Sequence, residues 1–253
     1  MPDEAETIAI DLSDVPGGAD NGPRTLASAI YARVRAEILD CKFRPGEKVL
    51  IGPLGRRFNV SVSAVREALF RLVADGLIQA EDHRGFRVSP LSLVDLRDVT
   101  RTRVELECAA LRLSILRGDR AWEHALKQAW DDLQSVPHSP PGDSSKLTEE
   151  WATMHGRYHL ALVAACGLQW LMRFRATLYE QSERYRRLSL AVARRNRDRD
   201  TEHRIIFEAT MARDVGAATA HLTTHLERTA DDIAEHYREL GLTEPFLAVG
   251  RPD

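Results

Sequence analysis

The run VSVSAVREALFRLVADGLI, from Val60 to Ile78, decides how the first third of this chain is read. Ser61 can cap a helix, because its side-chain oxygen can accept from a backbone N–H of the first turn. Val65, Ala68, Leu69, Leu72 and Val73 then recur at helical spacing and define an inner face. Gly76 is placed to end the helix. Working outward, Leu26, Ala29, Ile30, Val34 and Ile38 mark an earlier helix, closed by the turn Arg44-Pro45-Gly46-Glu47. A short second helix is predicted around Pro53 to Phe58. Downstream, Leu77–Ala80 and Phe86–Ser89 are strand-like runs flanking Asp82-His83-Arg84-Gly85, a hairpin signal. Three helices and a hairpin within residues 24–90 describe a winged helix-turn-helix.

Beyond Leu91 the pattern is helical almost throughout. Helices are predicted over 92–117, 119–135, 147–166, 168–196, 201–213 and 215–240, with a surface loop at Pro137 to Gly142. Six or so helices with short connections give an antiparallel all-α bundle over residues 91–240. The expected fold is therefore mainly α: a winged helix-turn-helix followed by a helical domain. Residues 1–23 form an acidic tail, rich in Asp, Gly and Pro, expected to be disordered, and 241–253 form a C-terminal tail. The apolar runs are too short to span a bilayer, so neither a transmembrane helix nor a membrane partner is expected. Cys41, Cys108 and Cys166 are widely spaced and odd in number, which argues against a disulfide framework and for a reducing cytoplasm.

The net charge of −3 is unevenly spread. Residues 1–22 hold six acids and no Lys or Arg, whereas residues 24–90 hold twelve Lys or Arg against seven acids. That basic segment has the electrostatic footprint of a DNA-binding domain, although a solvated basic face has the same composition. In a helix-turn-helix the third helix enters the major groove with its N-terminal residues against base edges. Ser61 and Ser63 let it approach closely, and Arg66 can clamp a phosphate or reach a guanine. Arg56 and Arg57 on the preceding helix, with Arg84 and Arg87 in the wing, are further candidate DNA contacts. A surface pair between Arg66 and Glu67 is the plainer alternative for Arg66.

Four histidines stand out in the helical half. His155 and His159 lie one turn apart on a stripe with Trp151, Met154, Tyr158, Leu162 and Cys166. Imidazoles at i and i+4 project side by side, which suits two ligands of one metal ion. His203 shares a face with Ile206, Phe207 and Thr210, and His225 sits among Ala218, Leu222, Leu226 and Thr229. A single inward histidine is commonly a hydrogen-bonded core residue. Four on inward faces would be costly without partners, and a shared metal removes that cost. Arg103 interrupts the stripe Leu96, Val99, Leu106, Ala110, Leu113. A guanidinium facing a core calls for an anion, either a bound carboxylate or Glu107 at i+4. Trp122, Trp130 and Trp170 are expected in the core.

The run quoted at the outset resembles the recognition helix of the GntR family of bacterial transcription regulators, and the Pro45-Gly46 turn fits the same pattern over about residues 25–90. It departs from the FadR-type branch in having Val62 where an arginine is usual, leaving Arg66 alone of that set. Residues 94–230 resemble the FCD ligand-binding domain of that branch, through Arg103-Val-Glu-Leu-Glu107, His155-Gly-Arg-Tyr-His159, Glu202-His203 and His225-Leu226. Many FCD domains hold a divalent metal with one Asp and three His. The resemblance places the three at His159, His203 and His225, with His155 in place of the Asp. An imidazole in place of a carboxylate favours Zn, Ni or another borderline metal over Mn or Mg. The resemblance implies a cytoplasmic, nucleoid-associated, homodimeric regulator, a repressor of its operator, relieved by a small organic-acid effector held by Arg103 and the metal. It implies no enzyme. The alternatives are a metal-dependent hydrolase, and a regulator whose metal site is purely structural. Gly156 and Arg157 stand between the paired histidines, where a zincin would place its general-base Glu, which counts against hydrolysis.

Overall fold

The computed structural model describes residues 25–40, 42–81, 84–139, 148–188 and 198–239. The two predicted tails, the hairpin tip at Asp82 and His83, and the predicted helical stretch after residue 188 lie outside the described residues. The chain divides after Leu91 into two compact units, each with its own buried cluster.

The first unit contains α1 (Leu26–Leu39), β1 (Lys48–Val49), α2 (Ile51–Arg57), α3 (Val62–Ala74), β2 (Ile78–Glu81) and β3 (Gly85–Val88). The Ser61 side chain accepts from the Ala64 N–H at 3.2 Å and starts α3. Val65, Ala68, Leu69 and Leu72 are fully buried against Ile30, Val34 and Ile38 of α1. Gly76 ends α3 with φ of 71°, in the left-handed region that a side chain disfavours. Gly55 lets α2 turn closely into α3: the Val60 N–H donates to its carbonyl at 2.9 Å, and a Cβ there would sit 3.2 Å from the Val60 carbonyl oxygen. The hairpin is joined by a third strand that the sequence reading did not foresee. β1 pairs with β3 antiparallel, Lys48 opposite Arg87 and Val49 opposite Phe86, giving the order β1-β3-β2. A two-residue strand carries too little alternation to stand out from a turn.

The second unit contains α4 (Leu93–Arg117), α5 (Arg120–Ser135), α6 (Glu149–Val163), α7 (Gln169–Leu188), α8 (Arg199–Met211) and α9 (Val215–Glu239). Four of these helices are capped by short polar side chains: Ser92, Asp119, Thr148 and Asp198 accept from the backbone N–H three residues on. α4 packs against α7 and α9, α8 against α9, and α5 against α6. The core runs through Leu111, Ile115, Leu126, Tyr158, Leu162, Ile206 and Leu222. Trp122 belongs to it and Trp130 packs at its edge. Trp170 does not: it is 68% exposed, one turn from an equally surface-lying Phe174, because it falls on the outer face of α7. Among the described residues no helix is long and apolar enough to cross a membrane.

Candidate metal centre

Three helices carry the four histidines to one point in the bundle. His155 and His159 stand one turn apart on α6, His203 on α8 and His225 on α9, and all four are buried. One ring nitrogen from each lies within 4.8 Å of those of the others. Adjacent ring centres are 4.5 Å apart for His155 and His159 and 4.5 Å for His203 and His225. The Nε2 atoms of His155 and His159 are 3.1 Å apart. Two nitrogens bound to one tetrahedral zinc at 2.0–2.1 Å would be about 3.3 Å apart, so this pair already has the bite of a metal chelate.

The surroundings fix these rings. The Tyr158 hydroxyl donates to the His203 carbonyl at 2.9 Å, holding α8 against α6. Glu202 sets the tautomer of His225: its Oε2 lies 2.9 Å from Nδ1, which leaves Nε2 with a lone pair. Trp151 stacks on His155 with ring centres 4.6 Å apart. The Nδ1 atoms of His155 and His159 are buried without a hydrogen-bond partner. Burial, reinforced by the neighbouring imidazoles, pushes both groups well below the ordinary histidine range; Arg186 adds to this at His155, and Arg103 and Arg175 at His159. Both rings are therefore neutral at pH 7 and carry the lone pairs a metal needs. Four imidazole nitrogens fit a borderline divalent ion such as zinc, with a supporting carboxylate on one of them.

A cavity of about 70 Å³ opens beside the rings. Its charged lining is Arg103, Arg186, Arg199 and Glu183, and each arginine has a carboxylate partner, Glu107, Glu183 and Asp232 in turn. Arg103 satisfies both sequence readings at once. Its Nε faces Glu107 at 3.4 Å, the i+4 pair, and its Nη1 donates to Ser182 at 2.7 Å while the side chain lines the cavity. Glu107 is shared with Arg175, whose Nε donates to it at 2.8 Å. Arg186 is held bidentately by Glu183. Sequence reasoning missed Glu202, Ser182, Glu183, Arg186 and Arg199 as parts of this site. Glu202 had a signal in its place beside His203, whereas the α7 residues lie in a strongly charged helix where nothing marks an inward face.

The residues read as DNA contacts fall into two groups. Arg56, Ser61, Ser63, Arg66 and Arg84 are exposed. Among the described residues no ion pair is formed between Arg66 and Glu67. Arg57 and Arg87 are engaged within their own unit. Arg57 forks onto buried Glu37 at 2.8 and 2.6 Å, and Arg87 ties Glu81 at 2.8 Å to the Gly46 carbonyl. Those partners hold the two guanidiniums in place while each side chain stays about one third exposed, 32% for Arg57 and 36% for Arg87.

A winged three-helix unit followed by a helical bundle with a histidine-lined cavity defines the class of DNA-binding proteins that carry a separate all-helical domain. Residues 26–88 match the bacterial regulatory proteins of the gntR family, and residues 98–228 match the FCD domain. The HTH-type transcriptional regulator BphR of Paraburkholderia xenovorans (strain LB400) is 37% identical over 219 residues, covering 87% of this chain and 88% of that one. The HTH-type transcriptional repressor GlaR of Escherichia coli (strain K12) is 30% identical over 200 residues, 78% of this chain and 90% of that one. Among solved structures, a GntR family member from Pseudomonas syringae pv. tomato DC3000 superposes with a TM-score of 0.50 at 26% identity, over 92% of this chain and 95% of that one. E. coli McbR/YncC shares the fold, with a TM-score of 0.67 at 18% identity over 85% and 99%. The chain belongs to the GntR family of bacterial regulators and carries an FCD domain. It is a DNA-binding transcriptional regulator, and the families and relatives it matches are regulators rather than enzymes.

Proposed function

We propose that this regulator is a homodimeric repressor whose grip on its operator is relaxed when a small carboxylate binds beside a metal ion in the helical domain. One observation carries the reading: four buried imidazoles converge on one point, next to a cavity lined by three arginines and one glutamate. His155, His159, His203 and His225 would hold the ion, which by the donor set is zinc, nickel or a similar borderline metal. When bound, the ion supplies a positive centre at the cavity floor. Arg103 keeps donors to spare, because its guanidinium has five N–H groups and Glu107 and Ser182 engage two of them. A carboxylate between that guanidinium and the ion would offset the charge that the ion brings.

In this reading residues 24–90 read double-stranded operator DNA, and residues 91–240 sense and dimerise. Ser61, Ser63 and Arg66 meet the major groove, with Arg56 and Arg84 on the flanking backbone. Arg57 and Arg87 hold the reading unit in shape. Two of the relatives, GlaR and the E. coli protein RspR, carry the name repressor, which supports the sign of the regulation. Effector binding shifts the population between a DNA-competent and a DNA-incompetent dimer.

The test combines elemental analysis with gel shift. The purified protein should carry close to one borderline metal ion per protomer. Its complex with the DNA upstream of its own gene should dissociate on adding small carboxylates from a mixed panel. Arg103→Leu should bind that DNA normally and lose the response. Metal-free purified protein with an undiminished carboxylate response overturns the reading.

A further inference from the structure

The first unit carries an open groove of its own. Leu26 at the start of α1, Gly55 and Arg56 on α2, and Val60, Ser61 and Val62 at the start of α3 line it. The groove is apolar at the surface: Leu26 is 46% exposed and Val62 53% exposed. It is also electropositive. Arg56 stands in its wall, and among the described residues no acid lines it. The N-termini of α1 and α3 meet it, and neither helix has an acid in its first turn. The unpaired N–H groups of a helix start carry partial positive charge. Phosphates would meet that charge, but they offer no apolar match for Leu26.

The chain itself holds a segment with both properties. Leu26 directly follows Thr25, the first described residue, so the 24 residues before Thr25 enter beside the groove. Residues 1–22 hold six acids and no Lys or Arg. Between Glu6 and Asp14 they also hold an apolar run, Ile8-Ala9-Ile10-Asp11-Leu12. Spaced two apart, Ile8, Ile10 and Leu12 would share one side of an extended chain. Pro16-Gly17-Gly18 separates this run from α1, and such residues favour a reversal that would bring it back toward Leu26. The stretch from Leu12 to Leu26 can extend to about 45 Å, so reach is no constraint.

We infer that the acidic N-terminal segment seats its Ile8–Leu12 run in this groove and so competes with DNA for it. The three aliphatic side chains lie against Leu26, Val60 and Val62, and the flanking acids face Arg56 and the two helix starts. The competition rests on the reading above that Arg56 and Ser61 contact DNA, since segment and duplex then need one surface. A docked segment lowers the affinity for every duplex by one common factor, set by the fraction of molecules with the groove open. Tethering presents the segment at an effective concentration of roughly millimolar, so weak contacts suffice.

Fluorescence anisotropy of the full chain tests this on two labelled duplexes, the DNA upstream of its own gene and a random sequence. One variant carries Ile8→Ser, Ile10→Ser and Leu12→Ser, which remove the apolar run at unchanged net charge. A second replaces the six acids, Asp3, Glu4, Glu6, Asp11, Asp14 and Asp20, by their amides. Each variant should bind both duplexes about tenfold tighter than the parent chain. A photo-reactive benzophenone side chain in place of Leu12 should cross-link to residues 52–62 of its own chain, and excess DNA should suppress that product. Unchanged affinity in the serine variant overturns the inference even where the amide variant binds tighter, because charge then acts from a distance. Cross-links to other regions, or between two chains, overturn it too. Arg56→Ala, made in the serine variant so that the segment is out of play, should weaken binding to both duplexes. That weakening keeps Arg56 as a DNA contact even if the segment proves inert, whereas unchanged binding removes the shared surface and this inference with it.

Discussion

Glu202 illustrates how much of the candidate metal centre is set by a side chain outside the four histidines. By accepting from Nδ1 of His225 it fixes the ring's orientation and raises its basicity. Glu202→Gln should therefore weaken metal binding by about 10- to 100-fold, read by competition with a chromophoric chelator, while the histidine count is unchanged. Protons act on the same rings. His155 and His159 stay neutral in the folded chain because burial holds them well below the ordinary value near 6.5. In the unfolded chain they take up protons below about pH 6.5. Acid thus favours unfolding, and metal-free protein should lose stability as the pH falls from 7 toward 5. Melting curves of chelated protein across that range check the sign; a flat profile would mean that the rings are not buried as described. The four histidines were legible in the sequence because a polar group breaking an apolar stripe is conspicuous. Ser182 and Arg186 were not, since α7 is polar on several faces and only packing selects the inward one.

At the scale of elements, α3 is the best specified by local sequence. Its Ser61 cap, its four-residue inner face and Gly76 at its end all agree, and each was readable in advance. Ser61→Ala should cost about 1 kcal/mol in the DNA-binding unit. Gly76→Ala should cost at least as much, because a φ of 71° strains a residue with a Cβ. Urea unfolding followed by circular dichroism reads both. The helix boundaries that slipped did so where tertiary contact takes over from pattern. α6 stops at Val163 rather than 166, since Cys166 turns into the core and its carbonyl accepts from Arg117 at 2.6 Å. β1 owes its existence to the backbone of β3, a partner that no local window contains.

For the whole molecule, two separate cores mean two separate responses to metal. Chelation should lower the melting temperature of the helical unit by about 10 °C, taking a bound ion at a thousandfold over its dissociation constant as worth about 4 kcal/mol. The transition of the winged unit should stay where it was, a pattern that calorimetry resolves. Arg66→Ala should weaken operator binding by about 1–3 kcal/mol without moving either transition. The division into a reading unit and a helical unit was visible as a switch from a basic, turn-punctuated segment to long helical periods. The convergence of α6, α8 and α9 on one point was expressed in residue spacing. The composition of the cavity was not, because it is assembled from five helices at once.

Trp151, lying flat against His155 beside the cavity, gives the molecule an optical signal of its own. Buried Trp122 and Trp151 should emit to the blue of exposed Trp170, and Trp151→Phe isolates the part of the blue component that belongs to Trp151. Loading with nickel should darken the blue component and leave the red one bright, whereas zinc should spare both. A bound ion would thus be told apart by kind without any added dye.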